Sequence, residues 1–137
     1  MSGQHHLAKL LEGVEAFNAW RRTNPDAVPD LRRADLSGLD LRRAGLRGAD
    51  LTGARLDGAF LEEADLTDAD LTDASLQRAL LLRADLTRAV LTRADLRRAN
   101  LMGARLTRSQ LGAAKTDGTT RLSPQLMEQP LWKHVRP

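Results

Sequence analysis

The chain has 137 residues, enough for one domain, and no cysteine, which excludes disulfide and thiol chemistry. Its aromatic content of 3% is too low for an ordinary globular core, and its net charge of +3 is carried mostly by arginine. No apolar run is long enough to span a bilayer, and Lys9, Glu12 and Glu15 within the N-terminal apolar stretch argue against a signal peptide.

Residues 5–22 read as one amphipathic helix. Leu7, Leu10, Leu11, Val14, Phe17 and Trp20 recur at three- and four-residue spacing, with Lys9, Glu12, Glu15 and Arg22 off that stripe. Asn24-Pro25 and Pro29 end it. The expected role is a cap over whatever core follows; a partner-binding helix is the alternative. Its polar face is too weakly basic for a membrane surface. His5 and His6 are expected to be solvated, with no further metal ligand nearby in sequence.

From Leu31 through Leu111 a leucine falls at every fifth position, seventeen times without a miss. The residue two before each leucine is alanine in fourteen of these repeats. A period of five fits neither a helix, where each step turns about 500°, nor a flat strand, where odd spacing alternates faces. All the leucines share one interior only if the chain turns a corner in every repeat. Alanine and leucine, two apart, then point inward together, and the other three positions point outward. Those outward positions hold mainly Asp, Arg, Thr, Gly and Asn, which suit turns and solvent.

Units such as Ala34-Asp35-Leu36-Ser37-Gly38, Ala49-Asp50-Leu51-Thr52-Gly53 and Ala64-Asp65-Leu66-Thr67-Asp68 carry an A-(D/N)-L-x-x signature. In this the chain resembles the pentapeptide-repeat family over residues 29–115. The resemblance implies an all-β solenoid: a right-handed, four-sided parallel β-helix with one repeat per side and twenty residues per coil. On that scheme this chain makes about four coils. Residues 1–28 then form an N-terminal helical cap and residues 116–137 a short C-terminal capping tail. The expected location is the cytoplasm, and the family's usual distribution implies a bacterial protein. Several of its members resemble duplex DNA and modulate type II topoisomerases such as gyrase. Those look like long, strongly acidic dimers, whereas this chain is basic and short and has no loop insertion within residues 30–113.

With twenty residues per coil, residues twenty apart stack into columns. The second position after each leucine starts largely as glycine and turns acidic at Glu63, Asp68 and Asp73. It then becomes arginine at Arg78, Arg83, Arg88, Arg93 and Arg98. Arg83 is expected over Glu63, Arg88 over Asp68 and Arg93 over Asp73, with Arg43 on the other side of Glu63: cross-strand ladders that set coil register. The alternative is a zoned recognition surface. It would pair an acidic belt (Glu62, Glu63, Asp65, Asp68, Asp70, Asp73) with a basic run of Arg78, Arg83, Arg88, Arg93, Arg97, Arg98, Arg105 and Arg108. In that run Arg97, Arg98, Arg105 and Arg108 have no obvious acidic neighbour above them. The stacked aspartates Asp30, Asp50 and Asp70, and Asp65 and Asp85, are expected to bond local backbone rather than a cation.

Phe60 and Leu80 share one outward column and Leu82 and Met102 another, all on one side of the square, which makes a candidate interaction patch. A terminal segment, a second copy or a partner would cover it. Thr116 occupies the next leucine slot, so the coil is expected to end after Leu111. Asp117-Gly118 reads as a turn, and Ser123-Pro124 opens a short helix to about Gln129, stopped by Pro130. Leu122, Leu126, Met127, Leu131 and Trp132 supply apolar surface for a C-terminal cap.

No residue cluster points to catalysis. The histidines are terminal, the serines have no base at an arguable distance, and there is no Gly-rich phosphate loop. Catalytic, cofactor and metal residues are expected to be none. The reading is a rigid, non-catalytic scaffold for protein–protein interaction, with an unidentified protein or a second copy as partner and no membrane. Topoisomerase modulation is the alternative. Nucleic-acid binding through the arginines comes third, disfavoured because no aromatic residues interleave with them.

Overall fold

The computed structural model describes residues 3–127. From Asp30 to Asp85 the residue before each leucine forms a parallel β-bridge with the residue twenty further on, as in Asp30↔Asp50, Asp35↔Arg55, Asp40↔Phe60 and Gly45↔Asp65. Bridges five residues apart with a pairing offset of twenty make a coil with four sides. In each interior repeat the backbone does three things. Asp50 N–H donates back to Pro29 (2.9 Å), Leu51 N–H donates forward to Asp70 (2.8 Å), and Ala54 N–H closes a turn onto Leu51 (2.9 Å).

That turn explains the composition of the corners. Its third residue has positive φ, a conformation that glycine adopts freely (Gly58, φ 68°) and that Arg, Asp and Glu occupy at ten further corners. Leucines Leu31 through Leu101 and alanines Ala44 through Ala99 are almost wholly buried, so the core is one continuous column. A tight corner beside the column leaves room for a methyl group and little more.

The N-terminal segment is two helices rather than the single one its stripe predicts: α1 (Gly3–Leu11) and α2 (Val14–Thr23). Gly13, at φ 120°, breaks them, because a helix cannot continue through that conformation. Leu10 and Phe17 are buried in the leucine core, and Leu7, Val14 and Trp20 pack against it. His6 corrects its sequence reading: it is 5% exposed, lies 5.2 Å from Trp20 between ring centroids, and its Nδ1 accepts the Asp30 N–H at 2.8 Å.

Within the coil, Asp50 N–H and Arg55 N–H each donate to a carbonyl in the coil before. Asp30 and Gly45 have no such coil before them, and side chains from the helices stand in. His6 takes the Asp30 N–H, Asn18 Oδ1 takes the Gly45 N–H (2.7 Å), and Arg21 Nη2 donates to the Arg47 carbonyl (2.6 Å). Asn18 Nδ2 also donates to Arg43 O at 3.0 Å.

At the other end Leu111 is not a seventeenth inward rung. Residues Arg108–Ala113 form a short helix, α3, because Thr107 and Gln110 make a reciprocal capping box. Leu106 and Leu111 are only partly buried. Gln110 Nε2 donates to the carbonyls of Leu86 (2.7 Å) and Ala89 (2.8 Å), so a side chain again completes the ladder. Pairing then resumes at Asp95↔Lys115 and Asn100↔Arg121. Ser123 Oγ accepts the Gly103 N–H (2.7 Å), and α4 (Pro124–Met127) follows. The predicted extension to Gln129, with Leu131 and Trp132, lies outside the described residues.

Candidate interaction surface

The coil sorts the charged residues into three groups. In the first, Arg43 and Arg83 hold Glu63 at 3.0 and 3.4 Å, Arg88 holds Asp68 at 2.8 Å and Arg93 holds Asp73 at 2.8 Å, each twenty residues apart. Hydrogen bonds from the arginines keep these three carboxyls below their ordinary range.

The second group pairs within one repeat. Arg32 holds Asp30 (2.8 Å), Arg42 holds Asp40 (2.7 Å) and Arg97 holds Asp95 (2.7 Å). The guanidinium hydrogen bond brings Asp30 and Asp40 to about 2 and Asp95 well below the usual carboxylate range. Arg97 therefore has an acidic partner after all. Its column hid it; the tripeptide Asp-Leu-Arg, which puts both outward side chains on one side, was the signal. The other stacked aspartates are satisfied locally. Thr52 and Thr72 hydroxyls donate to Asp50 (2.7 Å) and Asp70 (2.6 Å), Thr87 donates to Asp85, and Asp65 takes the Thr67 N–H (3.0 Å). Among the described residues no group of His, Asp or Glu is arranged to hold a metal ion.

The third group, Arg78, Arg98, Arg105 and Arg108, forms no ion pair within 4.0 Å among the described residues. Arg78 and Arg98 are successive members of one corner column that begins with Gly38 and Gly58. The acidic belt does not form a patch. Glu62 and Glu63, Asp65 and Asp68, and Asp70 and Asp73 lie on three successive sides.

The apolar residues do converge. Phe60 and Leu80 bridge each other in the column Asp40, Phe60, Leu80, Asn100, Arg121, and Leu82 and Met102 lie one level apart on the same side. Phe60 is 40% exposed and the other three are half-buried. Where the α1–α2 turn meets this side, Gly13 and Val14 face Asp40, Arg42, Glu62 and Leu82 across an open groove. Glu62 Oε1 is buried there without a hydrogen bond. Sequence reading passed over Val90, 44% exposed, which occupies the column of Asp30, Asp50 and Asp70 on another side.

A model of tandem pentapeptide repeats, eight copies, matches residues 30–68 and 69–108. The chain belongs to the pentapeptide-repeat family. Pentapeptide-repeat proteins of known structure form right-handed quadrilateral β-helices and are in general non-enzymatic structural or interaction proteins. A pentapeptide repeat protein from the Arabidopsis thaliana thylakoid lumen is 38% identical, with a TM-score of 0.56, over 65% of this chain and 59% of that one. Rfr23 of the cyanobacterium Cyanothece 51142 is 33% identical over 72% of this chain and 68% of its own, with a TM-score of 0.39. A pentapeptide repeat protein of Nostoc PCC 7120 is 33% identical over 77% and 84%, with a TM-score of 0.37. This pentapeptide-repeat chain thus spans about three fifths of the Arabidopsis protein's length. No curated protein matches it.

Proposed function

We propose that this pentapeptide-repeat chain is a rigid, non-catalytic scaffold of about four coils that binds another protein in the bacterial cytoplasm. The helices α1 and α2 act as its N-terminal cap, and the segment after Arg105 acts as its C-terminal cap. In support, His6, Asn18, Arg21 and Gln110 supply side-chain hydrogen bonds where a neighbouring coil would have supplied backbone ones. The observation that carries the binding role is the side with Phe60, Leu80, Leu82 and Met102. Elsewhere the outward positions of the coil are polar or glycine, Val90 aside.

A DNA-mimicking role at a type II topoisomerase fits the surface less well, because Glu63, Asp68 and Asp73 are each neutralised by an arginine. The test is photo-crosslinking in cells from positions 80 and 82, with Thr52 and Thr72 on another side as control positions. A protein captured from 80 and 82 but not from 52 and 72 is the expected result. No capture from either pair would overturn the reading.

A further inference from the structure

Resting on that scaffold reading, we propose that the side bearing Phe60, Leu80, Leu82 and Met102 takes an extended, acidic segment of its partner, whose carboxylates are gripped by Arg78, Arg98 and Arg121. Position selects these three. In the corner columns an arginine over an acid, as Arg88 over Asp68 and Arg93 over Asp73, is bound to it. Arg78, Arg98 and Arg121 have no ion pair among the described residues, and all three border this one side. Arg78 and Arg98 occupy the corner immediately before Ala79-Leu80 and Ala99-Asn100, and Arg121 bridges Asn100 at the top of the Phe60–Leu80 column.

The backbone adds a second reason. Arg78 and Arg98 hold φ of 63° and 65°, the left-handed region, in a column that uses glycine at Gly38 and Gly58. A side chain with a Cβ is disfavoured there, and no ion pair among the described residues offsets it. The remaining charges on this side are the Asp40–Arg42 pair, the Arg43–Glu63–Arg83 cluster at the opposite corner, and Glu62 and Glu15 at the groove beside the α1–α2 turn. Among the described residues the arginines without an ion pair thus lie at one corner and the top of this side, away from the two carboxylates at that groove. Guanidinium forks favour carboxylates of fixed geometry, and the apolar stripe between them and Glu62 favours aliphatic or aromatic side chains. A polynucleotide satisfies the arginines alone and would find no aromatic stacking platform.

The probe is a random-peptide phage library selected on the full chain. The winners are then measured by fluorescence anisotropy on three proteins: the parent, the variant Arg78→Glu with Arg98→Glu, and the variant Leu80→Ser with Leu82→Ser. Glutamate is tolerated at that corner, since Glu63 holds the same conformation at φ 60°, and melting curves check both variants. The expected winners combine acidic with apolar residues, weaken with salt, and lose about tenfold or more in affinity to each variant. No enrichment, winners without an acidic excess, or winners that bind the arginine variant unchanged would overturn the proposal. So would poly-glutamate or duplex DNA that binds as well as the winners and is unaffected by the serine variant. A dimer seen by sedimentation and lost with Leu80→Ser and Leu82→Ser would make this side a self-interface, overturning the acidic partner while leaving the scaffold standing. Failure of the scaffold itself reads differently, as crosslinking from positions 80 and 82 that captures no protein.

Discussion

Asn18→Ala tests whether the helices complete the coil. The Asn18 carboxamide both accepts from Gly45 N–H (2.7 Å) and donates to Arg43 O (3.0 Å), and Gly45 is half-buried beneath it. Each such bond is worth about 1 kcal/mol net, and a buried donor left without a partner costs somewhat more. Removing both gives a loss of roughly 2 kcal/mol. For a chain of this size roughly 4 °C in Tm accompanies each kcal/mol, so the midpoint falls by about 8 °C. Thermal melting followed by circular dichroism measures it, and hydrogen exchange at the Gly45 amide locates it. Asn18→Asp keeps the acceptor for Gly45 but sets a second acceptor against the Arg43 carbonyl, so it also melts below the parent while Gly45 stays protected. An alanine variant that melts with the parent and keeps Gly45 protected would show that α2 does not hold the first coil through this residue.

Other perturbations probe the core, the pH response and the charge pattern. Leu71→Ala removes a side chain with no exposure and is expected to cost about 2–5 kcal/mol by denaturant titration; a loss below about 1 kcal/mol would place Leu71 outside the packed column. Ala69→Leu, equally buried, overpacks the corner by about 1–3 kcal/mol, and a melt at the parent temperature would count against the tight interior. Burial holds the pKa of His6 below its ordinary 6.5, so the unfolded chain takes up the proton first. Stability is therefore full above about pH 6.5 and declines as pH falls through and below it. His6→Asn removes that slope, and a parent whose Tm is flat over the same range would refute the buried acceptor. In a DNA gyrase supercoiling assay, with or without a gyrase poison, the full chain is expected neither to inhibit nor to protect. Dose-dependent activity would mean that the acidic belt acts despite its arginine partners.

What was legible in the sequence was what repeats. Once the period fixed the columns, Arg88 on Asp68 and Arg93 on Asp73 followed by subtraction, because a twenty-residue coil stacks those side chains directly. Phe60, Leu80, Leu82 and Met102 fell on one side for the same reason. The ends carry no period, and there the reading slipped. A helical stripe continues smoothly across Gly13 in sequence, but backbone conformation, not hydrophobicity, breaks it. Leu111 keeps the five-residue spacing, yet the Thr107–Gln110 capping box outweighs one more leucine. His6 looked solvated because its partner, Asp30 N–H, is a backbone group twenty-four residues away that no side-chain pattern reveals.

The arginines of the corner column allow one more distinction between fold and recognition. A residue with a Cβ in the left-handed region is disfavoured by about 1–2 kcal/mol, whereas glycine is not. Glycine gives back about 0.5–1 kcal/mol through the greater freedom of the unfolded chain. At Arg78 and Arg98, where no ion pair is lost, the two terms leave Arg78→Gly and Arg98→Gly neutral or slightly stabilising. The same change at Arg88 also removes the contact to Asp68, so its melting temperature should be the lowest of the three. Arg33, left-handed at φ 58° and likewise without an ion pair, lies away from the apolar side and serves as the control for backbone relief alone. If the variants at 78 and 98 keep their melting temperature and lose the acidic segment, those side chains are maintained for binding. A marked loss of stability at 78 or 98 would instead tie these arginines to the fold, and the surface would have to be sought elsewhere on the coil.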